Sequence, residues 1–273
     1  MAGDPKVVLV TGCTTGGIGY HIANEFGKAG CKVYASSRRV ETMDYSENTN
    51  VTTIALDVTS DESVDSVVKQ IMEKEGKIDI AVCNAGIFHV APLIEHSIER
   101  TKAIFDTNVY GLLRISKAVL PHMAGRKKGL IVSIGSVDGE MSTPFTSVYD
   151  ASKAAQHAMT EVLGMEARAL GVDVFLVSPG AVRTNMLDNS TSNFKLSEDS
   201  LYKPLEDKII RRLKVSHDMP GAWAADRFGR EVVKRALMKN PPRYWSEGGA
   251  AGKIKLLKLL PRNLALDIVW KAI

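Results

Sequence analysis

Runs of β-branched and aliphatic residues alternate with amphipathic segments of helical period over residues 6–177. Strand-like runs lie at Lys6–Val10, Lys32–Ala35, Val51–Leu56, Ile78–Val82, Gly129–Ile134 and Val172–Val177. Helix-like segments lie between them, the first running through Ile22 and Phe26 to Gly30 and the others at Glu62–Glu75, Ser97–Val119 and Ala151–Leu170. Strands separated by helices of this length form a parallel sheet with right-handed crossovers. The pattern therefore predicts an α/β fold with a doubly wound parallel sheet.

The composition bounds the class of protein. The chain has 273 residues, 45% of them hydrophobic and 24% charged, as in soluble globular proteins, and one α/β domain can span residues 1–273. A net charge of +4 is explained by scattered surface lysines and arginines, so no nucleic-acid partner is implied. The N-terminus lacks the pattern of a secretory signal, and no apolar stretch of roughly 18 residues predicts a membrane span. The odd number of cysteines, without a CxxC pair or a histidine cluster at metal-ligand spacing, predicts a reducing compartment and no structural metal: Cys13, Cys31 and Cys83.

A glycine-rich stretch, Thr11-Gly12-Cys13-Thr14-Thr15-Gly16-Gly17-Ile18-Gly19, lies between the first predicted strand and the first predicted helix. Glycine lets the backbone turn tightly and approach a pyrophosphate, and a helix N-terminus offers free N–H groups to it. Glycines also occur in turns for structural reasons alone, but a strand before and a helix after favour a dinucleotide site. The stretch therefore predicts a Rossmann-type domain.

The second predicted strand ends in Ser36, Ser37, Arg38 and Arg39 rather than in the carboxylate that usually binds the adenosine ribose. Without that carboxylate nothing repels a 2′-phosphate, and a guanidinium binds phosphate through paired hydrogen bonds. This segment favours NADPH over NADH. The alternative is that both arginines merely solvate the end of a strand.

Tyr149 and Lys153 are four residues apart near the start of a predicted helix, which places them on one face. An ammonium close to a phenol favours the phenolate and lowers its pKa, which makes tyrosine a better proton shuttle. This spacing also arises by chance in ordinary helices, so the pair needs support from other residues.

Together these motifs resemble the short-chain dehydrogenase/reductase family. Between about Lys6 and Thr184 the resemblance is carried by the glycine loop and by Asn84-Ala85-Gly86, Asn108, Ser136, Tyr149, Lys153 and Ser178-Pro179-Gly180. The resemblance implies that Ser136 orients a substrate carbonyl and that Tyr149 donates or removes the proton. It further implies that Lys153 contacts the nicotinamide ribose and lowers the tyrosine pKa, while Asn108 anchors a water of the proton relay.

The resemblance also implies a set of residues around NADP(H). Beside Arg38, Arg39, Tyr149 and Lys153, these are Gly12, Thr14, Gly17, Ile18, Gly19, Asp57, Val58, Asn84, Ala85, Gly86, Pro179, Gly180, Val182 and Thr184. Two positions depart from the family pattern. Gly16 looks inserted in the glycine loop, and Cys83 stands where many members have an asparagine. We interpret Cys83 as a small buried apolar residue rather than a reactive thiol.

The C-terminal region bears on the substrate. The segments 33–39, 243–245 and 252–262 are similar to those of fungal NADPH-dependent 1-acyldihydroxyacetone-phosphate reductases, a branch of the family. That similarity implies reduction of a lipid ketone. The alternatives are a ketoreductase or hydroxysteroid dehydrogenase of polyketide or steroid metabolism, and a non-catalytic NADP-binding protein.

Two further segments carry predictions about contacts. Residues 186–220 lose helical periodicity and predict a loop or lid over the substrate, although a surface excursion would look similar. In 250–273, lysines alternate with leucines and predict an amphipathic extension. It could lie on an anionic membrane or lipid droplet, or pack on its own domain or a partner subunit. We expect a cytoplasmic protein or one peripheral to the endoplasmic reticulum or a lipid droplet, and the resemblance implies a homo-oligomer.

Overall fold

The computed structural model of the chain describes residues 4–184 and 196–272, with the backbone alone described for 215–218. Its strands are β1 Val7–Thr11, β2 Lys32–Ser37, β3 Val51–Ala55, β4 Ile80–Cys83, β5 Leu130–Ile134, β6 Asp173–Val177, β7 Val182–Arg183, β8 Trp223–Ala224 and β9 Tyr244–Trp245. Seven of them form a parallel sheet in the order β3-β2-β1-β4-β5-β6-β9, and β7 pairs with β8 separately. The predicted doubly wound α/β fold is confirmed.

Helices cover both faces of this sheet. They are α1 Ile18–Lys28, α2 Asp61–Glu75, α3 Ile98–Phe105, α4 Gly111–Gly125, α5 Ser147–Arg168, α6 Glu206–Asp218, α7 Ala225–Ala236, α8 Ala251–Leu257 and α9 Arg262–Lys271. Local signals fix several ends. The Ser60 side chain caps α2 by accepting a hydrogen bond from the Ser63 N–H, and Gly76 ends the helix in the left-handed conformation.

Alternate residues of the strands enter two separate apolar cores. In β1, Val8 and Val10 pack under α1 and α7, whereas Val7 and Leu9 pack under α2 and α4. All four side chains are at most 1% exposed, so the strand is buried on both faces. Burial on both faces explains why the strand reads as a continuous apolar run rather than an alternating one.

The strand order reverses between β1 and β4. From β1 the chain moves outward through β2 and β3, then returns to the other side of β1 and continues through β4, β5 and β6. Loops leaving β1 and β4 therefore diverge at the carboxyl edge of the sheet, and the crevice between them is where open α/β sheets bind ligands. This geometry places the glycine loop and the turn at Asn84 side by side.

Some element boundaries differ from the predictions. The helix predicted to end before Pro121 continues to Gly125, because Val119 and Met123 are fully buried on either side of the proline and hold the last turn in place. A π-helical turn, Asp106–Tyr110, joins α3 to α4 in place of a continuous α-helix. Helix α5 begins at Ser147, four residues before the predicted start. In the described part of the chain, no helix is both long enough and apolar enough to span a bilayer.

Candidate active site

The glycine loop after β1 passes directly against the turn after β4. Gly12 has a φ of +73°, and a Cβ there would lie 2.8 Å from the Ala85 Cα. A Cβ on Gly19 would lie 2.4 Å from the Asn84 side-chain nitrogen. The extra glycine, Gly16, has a φ of +79°, so the longer loop uses left-handed backbone twice. Side chains at these positions would fill the space that a pyrophosphate needs.

The N-terminus of α1 faces this loop without a side-chain cap. Gly17 is the N-cap, and the first turn of the helix holds no carboxylate. The positive end of the helix dipole is therefore available to an anion. Asn84 steadies the loop, because its side-chain amide donates to the carbonyl oxygens of Thr11 at 2.9 Å and Gly12 at 3.0 Å. The loop that contains Gly12, Thr14, Gly17, Ile18 and Gly19 thus fits a dinucleotide pyrophosphate.

Arg38 and Arg39 lie exposed just beyond β2. The chain after them is fastened to the glycine loop, since the Thr15 N–H donates to the Thr42 carbonyl at 2.9 Å. Within residues 4–184 and 196–272, neither guanidinium forms an ion pair with a carboxylate. Two positive charges without a carboxylate partner in this part of the chain therefore lie beside the glycine loop, where a 2′-phosphate would be bound.

Asp57 and Val58 follow β3 at the same edge of the sheet. Burial raises the pKa of Asp57, but hydrogen bonds from Thr59 and the charge of Arg38 together hold it below its ordinary value. Val58 is buried and packs on Gly111, where a Cβ would lie 3.1 Å from the valine Cγ2. These two residues, which the resemblance implies lie against the adenine of NADP(H), are thus ordered by their own local contacts.

Ser136, Tyr149 and Lys153 come together beyond β5. The Lys153 Nζ lies 5.8 Å from the centre of the Tyr149 ring, one helical turn away on α5. The Ser136 side chain interacts with the Tyr149 hydroxyl and lowers its pKa, and the Ser136 Oγ accepts the Asp138 N–H at 3.1 Å. Phe88 packs edge to face on the tyrosine ring, with the ring centres 4.9 Å apart. The phenol is therefore held between a hydroxyl and an aromatic wall.

Lys153 is 4% exposed, and its ammonium is tightly held. It donates to the Ile134 carbonyl at 2.9 Å and to the Gln156 side-chain oxygen at 2.8 Å. Burial lowers the pKa of Lys153 to about 7. A Cβ on Gly86 would lie 3.8 Å from its Nζ, so the absence of a side chain there keeps space open in front of the ammonium.

Asn108 sits inside the π-helical turn and is 1% exposed. Its side-chain oxygen accepts the Ile87 N–H at 2.7 Å, while its nitrogen donates to the Ile87 carbonyl at 3.0 Å and to the Ser152 Oγ at 2.9 Å. The side chain thus ties the turn after β4 to α5. It brings the cofactor-facing and catalytic segments into one unit.

The acidity of Tyr149 differs from the sequence-based expectation. Burial is the largest influence and raises the pKa of Tyr149, with the Asp138 carboxylate acting in the same direction. Lys153 does not produce the predicted lowering, because its ammonium is itself buried and hydrogen-bonded elsewhere. A phenol that stays protonated at neutral pH is a proton donor.

A charged cluster beside the tyrosine was not anticipated. The buried Arg212 of α6 donates to Asp138 at 3.0 Å and to the Thr143 hydroxyl at 2.9 Å. Burial, together with Asp138, raises the pKa of the neighbouring Asp150 to about 8. No sequence pattern pointed to Arg212, which lies far along the chain in the predicted lid. Residues 186–195 of that segment lie outside the described residues.

His157 and Glu140 also belong to the site, although the sequence pattern did not predict them. The His157 Nε2 accepts the Ser136 N–H at 3.2 Å, and its spacing of four from Lys153 on the same helix was the one available signal. The carboxylate of Glu140 accepts hydrogen bonds from Ser178, Tyr244 and Lys258. Through Glu140, the turn at residues 136–141, the catalytic turn, is therefore connected with β6, β9 and the C-terminal extension.

The segment after β6 is shaped by the same C-terminal chain. The Pro179 carbonyl accepts the Val137 N–H at 3.0 Å, and the Gly180 N–H donates to the Glu247 carbonyl at 2.9 Å. A Cβ on Gly180 would lie 2.1 Å from the Gly249 oxygen, so only glycine fits. Val182 is buried in β7 and Thr184 follows it. These four residues, all predicted to lie around NADP(H), thus belong to one continuous segment beside the catalytic turn.

Comparisons with known proteins agree with this arrangement. The family model described as short chain dehydrogenase matches residues 6–195. The short-chain dehydrogenase srdE of Neurospora crassa is 33% identical over 255 residues, covering 92% of this chain and 86% of that protein. The NADPH-dependent 1-acyldihydroxyacetone phosphate reductase of Schizosaccharomyces pombe is 34% identical over 209 residues, covering 75% and 70% respectively. The structure of ElxO with NADP bound superposes with a TM-score of 0.76 at 27% identity, covering 92% of this chain and 100% of that one. The chain belongs to the short-chain dehydrogenase/reductase family of oxidoreductases.

Proposed function

We propose that the protein reduces a ketone to a secondary alcohol with NADPH. The observation that carries this proposal is the interaction of Ser136 with Tyr149 next to Lys153, beside a glycine loop that fits a pyrophosphate. NADP(H) is the cofactor, as in the related ElxO structure. The exposed Arg38 and Arg39 at the end of β2 would bind its 2′-phosphate, and bound NADPH would supply the hydride.

The side chains then have separate tasks. The Ser136 and Tyr149 hydroxyls hydrogen-bond to the carbonyl oxygen, and Tyr149 donates its proton as the alcohol forms. The Lys153 ammonium stabilises the phenolate that remains. Asn108 fixes the turn in front of the lysine, through its bonds to Ile87 and Ser152.

We propose 1-acyl-dihydroxyacetone phosphate as the substrate. The Schizosaccharomyces pombe reductase, similar over 75% of the chain, is named for that compound. An apolar cluster borders the site on the side of Phe88 and makes that side apolar, as an acyl chain requires: Val90, Phe145, Leu196, Tyr202, Leu205, Ile209 and Leu213. Part of the predicted lid contributes to that cluster, which supports its role over the substrate.

A substrate panel tests this proposal through the oxidation of NADPH. We expect 1-palmitoyl-dihydroxyacetone phosphate to give a kcat/KM at least roughly tenfold above a steroid ketone and an aromatic polyketide ketone, a difference of about 1.4 kcal/mol in transition-state binding. A higher kcat/KM for either competitor would contradict the lipid substrate and assign a steroid or polyketide ketone instead. Binding of NADPH without turnover of any ketone would leave only a cofactor-binding protein.

The C-terminal extension supports a peripheral site on the endoplasmic reticulum or a lipid droplet. Its inner face packs on the catalytic turn through Ile254, Ala265 and Val269, so the extension is not free of the domain. Its outer face leaves Leu256 66% exposed and Leu259 80% exposed among lysines. An apolar outer face with basic neighbours suits an anionic lipid surface.

Point variants test this contact better than truncation, because truncation also removes the buried inner face. Replacing Leu256 and Leu259 together by serine is expected to reduce co-flotation with vesicles of phosphatidylcholine and phosphatidylserine severalfold. Leu201→Ser, at a leucine that is 81% exposed elsewhere, is the matched control. Equal flotation of both variants would exclude the extension as the anchor.

We also propose a homo-oligomer that pairs through α4 and α5. Leu113, Val162 and Met165 are 41%, 46% and 65% exposed on these two helices, which is an apolar surface suited to a second copy. Light scattering of the protein and of Met165→Glu checks the assignment. A mass that is the same for both would contradict it.

A further inference from the structure

The ammonium of Lys153 is bound by a side chain that the mechanism above does not use. Gln156 lies three residues further along α5 and is 2% exposed. Its side-chain oxygen accepts from the Lys153 Nζ at 2.8 Å, and the Ile134 carbonyl accepts from the same Nζ at 2.9 Å. An ammonium has three donors. The third is left for the side of Asn108 and Gly86, where the cofactor is expected.

Chemistry fixes which way the Gln156 amide points. Its nitrogen lies 3.3 Å from the Ile134 carbonyl, which can only accept, and its oxygen faces Lys153, which can only donate. The flipped amide would place its N–H groups against the Lys153 ammonium and its oxygen against the Ile134 carbonyl, so neither contact would be a hydrogen bond. The nitrogen also donates to the Ser133 Oγ at 3.1 Å. The amide is therefore locked at both ends.

The chain of polar groups ends at Thr160, one turn beyond Gln156. The Thr160 and Ser133 hydroxyls are 3.0 Å apart, and Thr160 also donates to the Gln156 carbonyl at 2.7 Å. Tyr149 and His157 lie beside Lys153 on the same helix, and the charges of Asp138, Asp150 and Arg212 act on Tyr149 from its other side. Burial lowers the pKa of His157 to about 4, so it carries no charge near neutrality.

We propose that Gln156 is a positioning residue for the reaction, which holds the Lys153 ammonium in place and keeps it protonated for proton transfer by Tyr149. Burying a polar amide costs free energy unless all its groups are hydrogen-bonded, and an apolar side chain would fill the same space without that cost. A buried amide at this position therefore points to a role for its oxygen, which faces Lys153. The inference rests on the proposed function for its kinetic consequences.

Two substitutions of similar size act on Lys153 in opposite directions. Gln156→Met removes the acceptor and lowers the pKa of the ammonium, whereas Gln156→Glu adds a negative partner and raises it. Reduction requires the ammonium, so turnover falls as the pH rises through that pKa. We expect the alkaline limb of kcat to move down by about one pH unit in Gln156→Met and up by a similar amount in Gln156→Glu. At neutral pH, kcat of Gln156→Met should fall about tenfold with KM for the ketone unchanged.

Thr160→Val is the matched control, since it breaks the outer end of the chain without touching Lys153. The profiles are measured with 1-palmitoyl-dihydroxyacetone phosphate or the panel ketone that is turned over fastest. Alkaline limbs that move in opposite directions, with Thr160→Val like the original protein, support the proposal. The proposal is overturned if the alkaline limbs of both Gln156 variants stay in place, or if Thr160→Val moves its alkaline limb in the same way. If Gln156→Met does not fold, the upward shift in Gln156→Glu decides alone.

Thermal unfolding of the protein without cofactor gives a readout that is independent of turnover. The folded pKa of Lys153 is about 7 and the unfolded one about 10.4. Between these values the unfolded state binds the extra proton, so stability rises with pH. Relative to the original protein, that rise should begin at lower pH in Gln156→Met and at higher pH in Gln156→Glu. Such shifts without ketone turnover would reject the proposed reaction alone, whereas their absence overturns the role of Gln156.

Discussion

Tyr149→Phe is expected to lower kcat for ketone reduction by about a thousandfold, because it removes the hydroxyl that donates the proton in the proposed reaction. The ring packing on Phe88 at 4.9 Å is retained, so the fold should be unaffected. NADPH affinity should also be unchanged, since the glycine loop and Arg38 are untouched. Stopped-flow reduction and fluorescence titration with NADPH measure the two quantities separately.

The control for this substitution is Tyr110→Phe. Tyr110 lies in the π-helical turn and is 50% exposed, so loss of its hydroxyl should leave turnover within about twofold. Near-normal reduction by Tyr149→Phe would remove the tyrosine from its assigned role. Loss of NADPH binding in that variant would mean that the phenol acts on the cofactor rather than on the ketone.

Arg38→Ala is expected to weaken NADPH binding by about 10- to 100-fold, the range for loss of a charge-assisted hydrogen bond to phosphate. NADH lacks the 2′-phosphate, so its affinity should hardly change and the preference for NADPH should largely disappear. Arg38 is the stronger candidate of the two arginines, because its charge already acts on Asp57 at this edge of the sheet. Titrations with both cofactors at low and high salt measure the effect.

Two arginine variants serve as comparisons. The loss of NADPH affinity in Arg39→Ala, compared with that in Arg38→Ala, shows how much each arginine contributes to binding the 2′-phosphate. Arg168→Ala removes an exposed arginine from the far end of α5, at the amino edge of the sheet, and should change neither affinity. An unchanged ratio of NADPH to NADH affinity in both Arg38→Ala and Arg39→Ala would mean that the arginines only solvate the end of β2.

Features that depend on neighbouring residues could be predicted from the sequence. The glycine loop is one example: strand, glycines and helix follow one another, so its place at the carboxyl edge of β1 follows from local pattern alone. The Tyr149 and Lys153 pair is another, because helical spacing fixes their common face. The fold class followed from the alternation of strand and helix patterns over residues 6–177.

Features that depend on distant parts of the chain could not be predicted in this way. Strand β9 has two residues, Tyr244 and Trp245, and becomes a strand only because β6 offers an edge to pair with. Glu140 meets Lys258 across 118 residues, and Arg212 reaches Asp138 across 74. The rise in the pKa of Tyr149 has the same origin, since it depends on burial that only the folded chain provides.

The π-helical turn at Asp106–Tyr110 makes chain length a constraint in its own right. It accommodates one more residue than an α-helical turn would, and each residue of an α-helix advances the side chain by about 100° around the axis. A single-residue deletion between α3 and α4 would regularise the helix and rotate Asn108 away from Ile87, although every other side chain of the site would still be encoded. In this stretch insertions and deletions should be tolerated less than most substitutions.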